Sequence, residues 1–301
     1  MRLAITVGDD GLGRALREQT ARDGHEVLCF GATQGLPAIR GVRDSSVDLN
    51  QLANVRYLLT SFRAEAFVHL SWNPRWGEHG DHLDRDGLDL AGRLFRTAYE
   101  AGVPHVVGIG SCHEYGPRVG ALTEGGDCLP VSRHGLMRQV AHGLLCAIAE
   151  EFEASYCWLR AFEIVGGTER PLPCADPSLP EGSPVAPTTS DSARRDFLEL
   201  GDAARAISHV VEKRLEGPVN LCQGPVCTRE DLLRAIAIEA RSRGISASRF
   251  ALKHGAQWIG DPRKLFESGF TPRIRSARQL AHSIVGSFLS PGAGPARTAA
   301  A

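Results

Sequence analysis

No apolar run in this chain reaches the roughly 18 residues that a membrane helix needs, and no cluster of basic residues stands out. Lys and Arg total 34 against 35 Asp and Glu, a formal net charge of −1. That balance gives no electrostatic footprint for nucleic acid. Eight cysteines are present but scattered; no C-x-x-C occurs, and Cys222 and Cys227 are the closest pair. Neither a zinc ribbon nor a disulfide scaffold is built on such spacing, so reduced thiols and a cytoplasmic location are expected. The first residues, Met1-Arg2-Leu3-Ala4-Ile5, lack a small-residue cleavage site and read as a strand, so no signal peptide is expected. What remains is a 301-residue chain with 43% hydrophobic and 23% charged residues, enough for one large core or two unequal ones.

The stretch Val103 to Arg138 organises the rest. Val106-Val107-Gly108-Ile109 reads as a buried strand ending on Gly110-Ser111, followed by a loop over 112–117. Pro130-Val131-Ser132 then leads into a long apolar helix carrying His134 and Arg138. Positions i and i+4 share a helix face, so both side chains should point toward Ser111. A strand end presenting a hydroxyl, beside a helix presenting two polar groups, is an active-site layout.

Earlier in the chain, Leu3-Ala4-Ile5-Thr6-Val7 reads as a strand, and Gly8, Gly11 and Gly13 punctuate a loop before a helix from Arg14. A second strand follows over 24–30. This is the opening of a dinucleotide-binding βαβ unit, with glycines admitting a pyrophosphate to the helix N-terminus. Asp9 and Asp10 sit in that loop, where carboxylates repel a pyrophosphate. A tight strand–helix turn with no ligand explains the same residues. Further on, Ala66-Phe67-Val68-His69-Leu70 reads as a strand with His69 packed in the core. Trp72 and Trp76 follow in a loop suited to walling a pocket for a flat substrate, or to packing down on the domain. His79-Gly80-Asp81-His82 reads as a solvated loop, not a metal site. Thr228-Arg229-Glu230-Asp231 is a capping box opening a helix to about Arg241.

Taken together, Ser111, Tyr115-Gly116, Leu159-Arg160, Arg195-Asp196-Phe197 and the closing Gly269-Phe270-Thr271-Pro272 resemble the extended short-chain dehydrogenase/reductase family. These are NAD-dependent sugar-nucleotide epimerases, dehydratases and ketoreductases, and the likeness runs from about Met1 to Leu289. The family's Tyr-x-x-x-Lys pair is replaced here by His134 and Arg138. The resemblance implies an α/β, Rossmann-like doubly wound parallel sheet with strand order 3-2-1-4-5-6 plus an added strand. A dinucleotide-binding domain over 1–164 and 196–221 is implied, with a smaller discontinuous substrate domain over 165–195 and 222–289 and a flexible tail over 290–301.

The same resemblance implies site roles. Ser111, His134 and Arg138 would be catalytic; Gly8, Gly11, Gly13, Asp48 and Ser71 would bind NAD or NADP, weakly or not at all given the acidic loop. Asp48 reads equally well as a helix cap. Trp72, Glu163 and Arg195 would bind a small-molecule substrate, Glu163 standing where the family has an Asn near the diphosphate. An ion pair explains Arg195 as well. No nucleic acid, membrane or metal partner is expected, and a homodimer is admitted. Three classes of function follow: an NAD(P)-dependent epimerase, dehydratase or ketoreductase; a cofactor-independent lyase, isomerase or cyclase; or a non-catalytic nucleotide sensor.

Overall fold

The computed structural model describes residues 1–7, 11–31, 33–70, 81–118, 120–166, 194–247, 250 and 258–289, without side chains for 81–86. Seven strands form one sheet: β1 (Arg2–Val7), β2 (Glu26–Gly31), β3 (Val42–Ser46), β4 (Ala66–His69), β5 (His105–Ser111), β6 (Ser155–Ala161) and β7 (Gly217–Leu221). Their order is β3-β2-β1-β4-β5-β6-β7, and every neighbouring pair is parallel. Eight helices among the described residues are α1 (Gly11–Arg22), α2 (Leu52–Phe62), α3 (Asp81–Glu100), α4 (Arg133–Glu151), α5 (Leu200–Lys213), α6 (Arg229–Ser242), α7 (Arg263–Glu267) and α8 (Ala277–Leu289). The doubly wound Rossmann-like sheet that the family resemblance implied is therefore present.

A strand buried on both faces sends alternate side chains to opposite layers. Leu3, Ile5 and Val7 of β1 enter the core shared with Leu16 of α1 and Ile207 and Val210 of α5. Ala4 enters the opposite core, with Val55 of α2, Phe95 of α3 and Leu145 of α4. A third core joins α6 and α8 through Leu232, Ile236, Leu280 and Ile284, and takes in Val165 and Phe197. These last two belong to a two-stranded parallel pair, Glu163–Val165 with Phe197–Glu199. Leu265 of α7 and Phe270 pack in the sheet's first core. The capping box at Thr228 opens α6 as its sequence indicates, with Asp231 N donating to Thr228 Oγ1 at 3.0 Å. His69 is fully buried as a core group, its Nδ1 3.0 Å from Thr6 Oγ1 and its ring edge-on to Phe95.

Strand order reverses at β1: α1 leads out to β2, whereas β4 lies on β1's other side. Such a reversal opens a crevice at the carboxyl ends of the strands. One wall of that edge is fixed by a buried carboxylate. Ser111 caps a single 3-10 turn, Cys112–Tyr115, where a loop was expected. Glu114, fully buried, accepts from Ser111 N at 2.8 Å, Arg160 Nε at 3.0 Å and Trp158 Nε1 at 3.0 and 3.1 Å. Arg160 Nη1 goes on to Tyr115 Oη at 3.1 Å, and Tyr115 Oη donates to Asn220 Oδ1 at 2.6 Å. Gly108 and Gly110 leave room for the Trp158 indole; a Cβ at Gly110 would overlap both the indole and the Glu114 carboxylate. A second buried carboxylate, Asp196, accepts from Gln223 N, Gly224 N and Gly260 N at 3.0 to 3.1 Å, joining three segments of the chain. Burial pushes its carboxyl up to about 7.

Replacing Arg160 by Met should leave Glu114 buried with no cation. Breaking a buried pair from one side costs about 3–5 kcal/mol, so the denaturation midpoint of Arg160→Met should fall steeply. Loss comparable to an exposed pair such as Arg22 with Glu18 would show that Glu114 is not charged in the folded chain.

Candidate active site

The residues expected to be catalytic come together at the carboxyl end of β5. Ser111 is its last residue and is almost fully buried. Its hydroxyl oxygen accepts from His113 N at 3.2 Å, leaving the hydroxyl proton to donate elsewhere. α4 starts at Arg133 behind a Ser132 cap, with Gly135 N donating to Ser132 Oγ at 3.1 Å. Gly135 has to be a glycine, since a Cβ there would collide with the His113 carbonyl. The close approach presses the first turn of α4 onto the 3-10 turn. Arg138, one turn further along, is buried and donates from Nη1 to the Ile109 carbonyl at 2.9 Å. Arg138 thus straps α4 to the strand that carries Ser111.

His134 lies half-buried at this junction, its ring edge-on to His113 with centroids 5.2 Å apart. His113 in turn packs against Trp258 at 4.2 Å, and Trp258 Nε1 donates to the Gly116 carbonyl at 2.9 Å. Burial pulls His134 down to about 3, with the Arg138 cation and His113 adding to the shift. His113 is lowered by burial as well. Both imidazoles are therefore neutral near neutral pH, and each carries one N–H donor and one acceptor. Neither His113 nor Trp258 was singled out from the sequence. One signal was available: Ser111-x-x-Glu114 has the spacing of a capping box, which fixes the turn that carries His113.

Glu163 and Arg195 also meet. Ala161 pairs with Ser111 across β6 and β5, so Glu163 sits two residues beyond the same edge. Arg195 Nη1 lies 4.0 Å from Glu163 Oε2, with the guanidinium almost fully buried. Burial raises the Glu163 carboxyl, while Arg195 and Arg229 pull it down. Arg229, also buried, is a second cation at this corner that the sequence reading missed. The acidic charge feared at Glu163 thus faces two arginines.

On the β1 side, Gly8, Ser71 and Trp72 lie outside the described residues, as do Asp9, Asp10 and His79. Gly11 is the first residue of α1, and Gly13 is buried on it. Gly31 closes β2 at φ 110°, with the Val7 carbonyl oxygen 2.8 Å from where a Cβ would stand. The two strand ends therefore approach too closely there for any residue with a side chain. Asp48 is exposed beyond β3, where its Oδ1 accepts from Asn50 N at 2.9 Å. It forms a local turn; the cap position of α2 belongs to Gln51. The carboxylate of Asp44 on β3 is taken by buried Arg17, at 2.9 Å from its Nε.

Comparison with known proteins agrees with this fold. Residues 7–222 match the model of the NAD dependent epimerase/dehydratase family. No curated protein sequence matches significantly. Among solved structures, UDP-glucose 4-epimerase from Thermotoga maritima, determined with UDP-glucose, superposes with TM-score 0.76 at 16% identity, covering 96% of this chain and 98% of that one. UDP-glucose 4-epimerase from Thermus thermophilus, in complex with NAD, gives 0.76 at 20% identity, over 96% and 99%. MoeE5 with UDP-glucuronic acid and NAD gives 0.74 at 22% identity, over 94% and 98%. At these identities the structures share the fold, and with the match across residues 7–222 the chain belongs to the NAD-dependent epimerase/dehydratase family.

Proposed function

We propose that the chain is a sugar-nucleotide epimerase or dehydratase in which His134 takes the place of the family's phenol. The observation that carries this is the neutral His134 ring on α4, which Arg138 straps to β5, packed against His113 in the turn that Ser111 caps. NAD or NADP along Gly11, Gly13, Gly31 and Asp48, with Gly8 and Ser71, would supply reversible acceptance of hydride from a sugar carbon. His134 accepts the proton of the sugar hydroxyl at its unprotonated ring nitrogen and later returns it. Ser111 donates a hydrogen bond to the same oxygen. Burial, with the Arg138 cation adding to it, keeps the ring uncharged, and the bond from Arg138 to Ile109 O holds the helix that carries the ring. Arg195 and Arg229 hold the diphosphate while Glu163 orients them, and Trp72 with Trp258 walls the sugar. The NAD and UDP-sugar complexes of the structural neighbours support this choice of ligands.

One observation favours a second reading. A group drawn to about 3 is a weak base at neutral pH, where efficient proton transfer asks for a pKa near the working value. His134 would then only donate a hydrogen bond, as in a cofactor-independent enzyme or a nucleotide sensor on this fold. Energy transfer from protein to bound NADH or NADPH, followed by assay for the C4 epimer of UDP-glucose, separates the two. Tight binding of the sugar nucleotide with no turnover would decide for the sensor.

The assembly we favour is a homodimer in the cytoplasm. Among the described helices none is long and apolar enough to cross a membrane, and the seven described cysteines are free thiols. Leu136, Val140 and Leu144 recur every fourth residue of α4 and stay 46%, 40% and 38% exposed, a stripe that a second copy of α4 would cover. Light-scattering mass should give two chains for the wild type and one for Val140→Asp; a monomeric wild type removes the dimer.

Two outcomes concern His134. His134→Ala should lower turnover roughly a hundredfold or more, the usual size of a general acid/base contribution, and unchanged turnover would take His134 out of the mechanism. The pH dependence has a definite sign. His134, His69, His105 and His142 all sit at about 3 to 4 in the folded chain, below the roughly 6.5 of an unfolded imidazole. Unfolding therefore takes up protons, so stability should fall as pH drops from about 6.5 toward 4 and stay flat with respect to these groups above it. A His134 ring NMR shift that titrates near 6.5 would contradict the burial argument.

A further inference from the structure

Two surface grooves are floored by apolar side chains and rimmed by arginines, yet their charge balance differs. The larger, about 560 Å³, lies between α2 and α3. Each of its arginines faces a carboxylate: Arg56 with Glu100 at 3.7 Å, Arg93 with Asp89 at 2.9 Å and Arg96 with Glu151 at 2.6 Å. That groove is electrically satisfied and offers nothing to a charged ligand.

The smaller groove, about 370 Å³, lies between the short strand Arg194–Arg195, α6 and the start of α8. Its floor is Val226 and Ile238, and Arg194, Arg234 and Arg278 stand around it against the single carboxylate of Asp231. With Glu230 counted against Arg234, three cations face two anions, a formal surplus of one positive charge. Asp231 is engaged in the α6 cap, Thr228 N donating to its Oδ2 at 3.3 Å, and Arg234 is met by Glu230 at 2.6 Å. Arg194 is anchored by donating to the Val226 carbonyl at 2.9 Å. Among the described residues no carboxylate lies within 4.0 Å of Arg194 or Arg278. Arg278 is the second residue of α8, where a cation opposes the helix dipole and an anion is favoured. Arg194, whose charge acts on Asp231 without a close ion pair, Arg278 at the start of α8 and the apolar side chains of Val226 and Ile238 converge on one hollow.

We propose that this groove is a binding site for a small organic phosphate monoester. Its phosphate would be gripped by Arg194 and Arg278, since the guanidinium fork matches phosphate oxygens. Its apolar group would lie on Val226 and Ile238, and the volume falls within the range of small-molecule pockets. The site is distinct from the cleft. Successive residues of a strand point to opposite sides: Arg195 is buried beside Glu163, whereas Arg194 is exposed in the groove. Arg194 and Arg195 pair with Thr228 and Cys227, so an occupant of the groove would bear on the same two-residue strand from behind. The inference does not depend on what the cleft catalyses.

Titration calorimetry of the full chain with phenyl phosphate tests it. The wild type should bind the probe, and inorganic phosphate more weakly for want of an apolar group. Arg278→Glu should weaken phenyl phosphate about tenfold or more, the size of a lost charge-assisted hydrogen bond. Arg195→Ala should leave the affinity within about twofold. Arg278→Ala, a truncation at an exposed position, should show the same direction if the charge reversal disturbs α8. No binding at millimolar probe, full binding by both Arg278 variants, or loss of binding in Arg195→Ala would each overturn the proposal, the last by placing the phosphate in the cleft.

Discussion

The Glu114 carboxylate is the constraint on which the cleft depends. A carboxylate with no exposure is costly unless donors surround it. Here the donors come from Ser111, Trp158 and Arg160. Together they fix the end of β5, the turn after it and the neighbouring strand β6. The network continues through Tyr115 to Asn220 on β7, whose Nδ2 donates to the Leu122 carbonyl at 2.7 Å. Arg160 also lies over the Tyr115 ring at 4.7 Å. Side chains that in the sequence carry only the family resemblance are thus spent on holding three strands in register.

Against that fixed wall, the electrostatics of the site follow from burial. Histidines placed where water is scarce and arginines are near remain neutral. The arginines themselves stay charged in any protein environment. The edge therefore combines neutral hydrogen-bonding rings at the β5 end with fixed cations at the Glu163 corner. Such a division suits a ligand with an uncharged, hydroxyl-bearing part and an anionic part. The two ends are held by separate buried carboxylates: Glu114 beneath the first and Asp196, with its three backbone donors, beside the second.

The sheet was largely legible in the sequence. Runs such as Leu3–Val7 and Val106–Ile109 are too apolar for anything but a strand buried on both faces, and the resemblance to the extended short-chain dehydrogenase/reductase family implied the topology. Helix periodicity likewise put His134 and Arg138 one turn apart on α4, where His134 meets His113 in the turn after Ser111 and Arg138 bonds to the Ile109 carbonyl. What the chain did not reveal locally was long-range satisfaction. Nothing near Glu114 announces that its partners stand 44 and 46 residues away. Nor does anything near Arg229 place it beside Glu163. Ser111 looked like a free reactive hydroxyl, whereas the fold also uses it as a cap. His113 was passed over because a histidine in a supposed loop has no periodicity to betray its direction.

The two described indoles carry an optical consequence. Trp158 is wholly buried, with its Nε1 bonded to Glu114, while Trp258 stands half-buried at 4.2 Å from the His113 ring. The first should emit as an indole in a dry, polar-bonded setting; the second sits against an imidazole that quenches once protonated. The protein thus has its own pair of chromophores, one reporting on the Glu114 network and the other on the turn that carries His113.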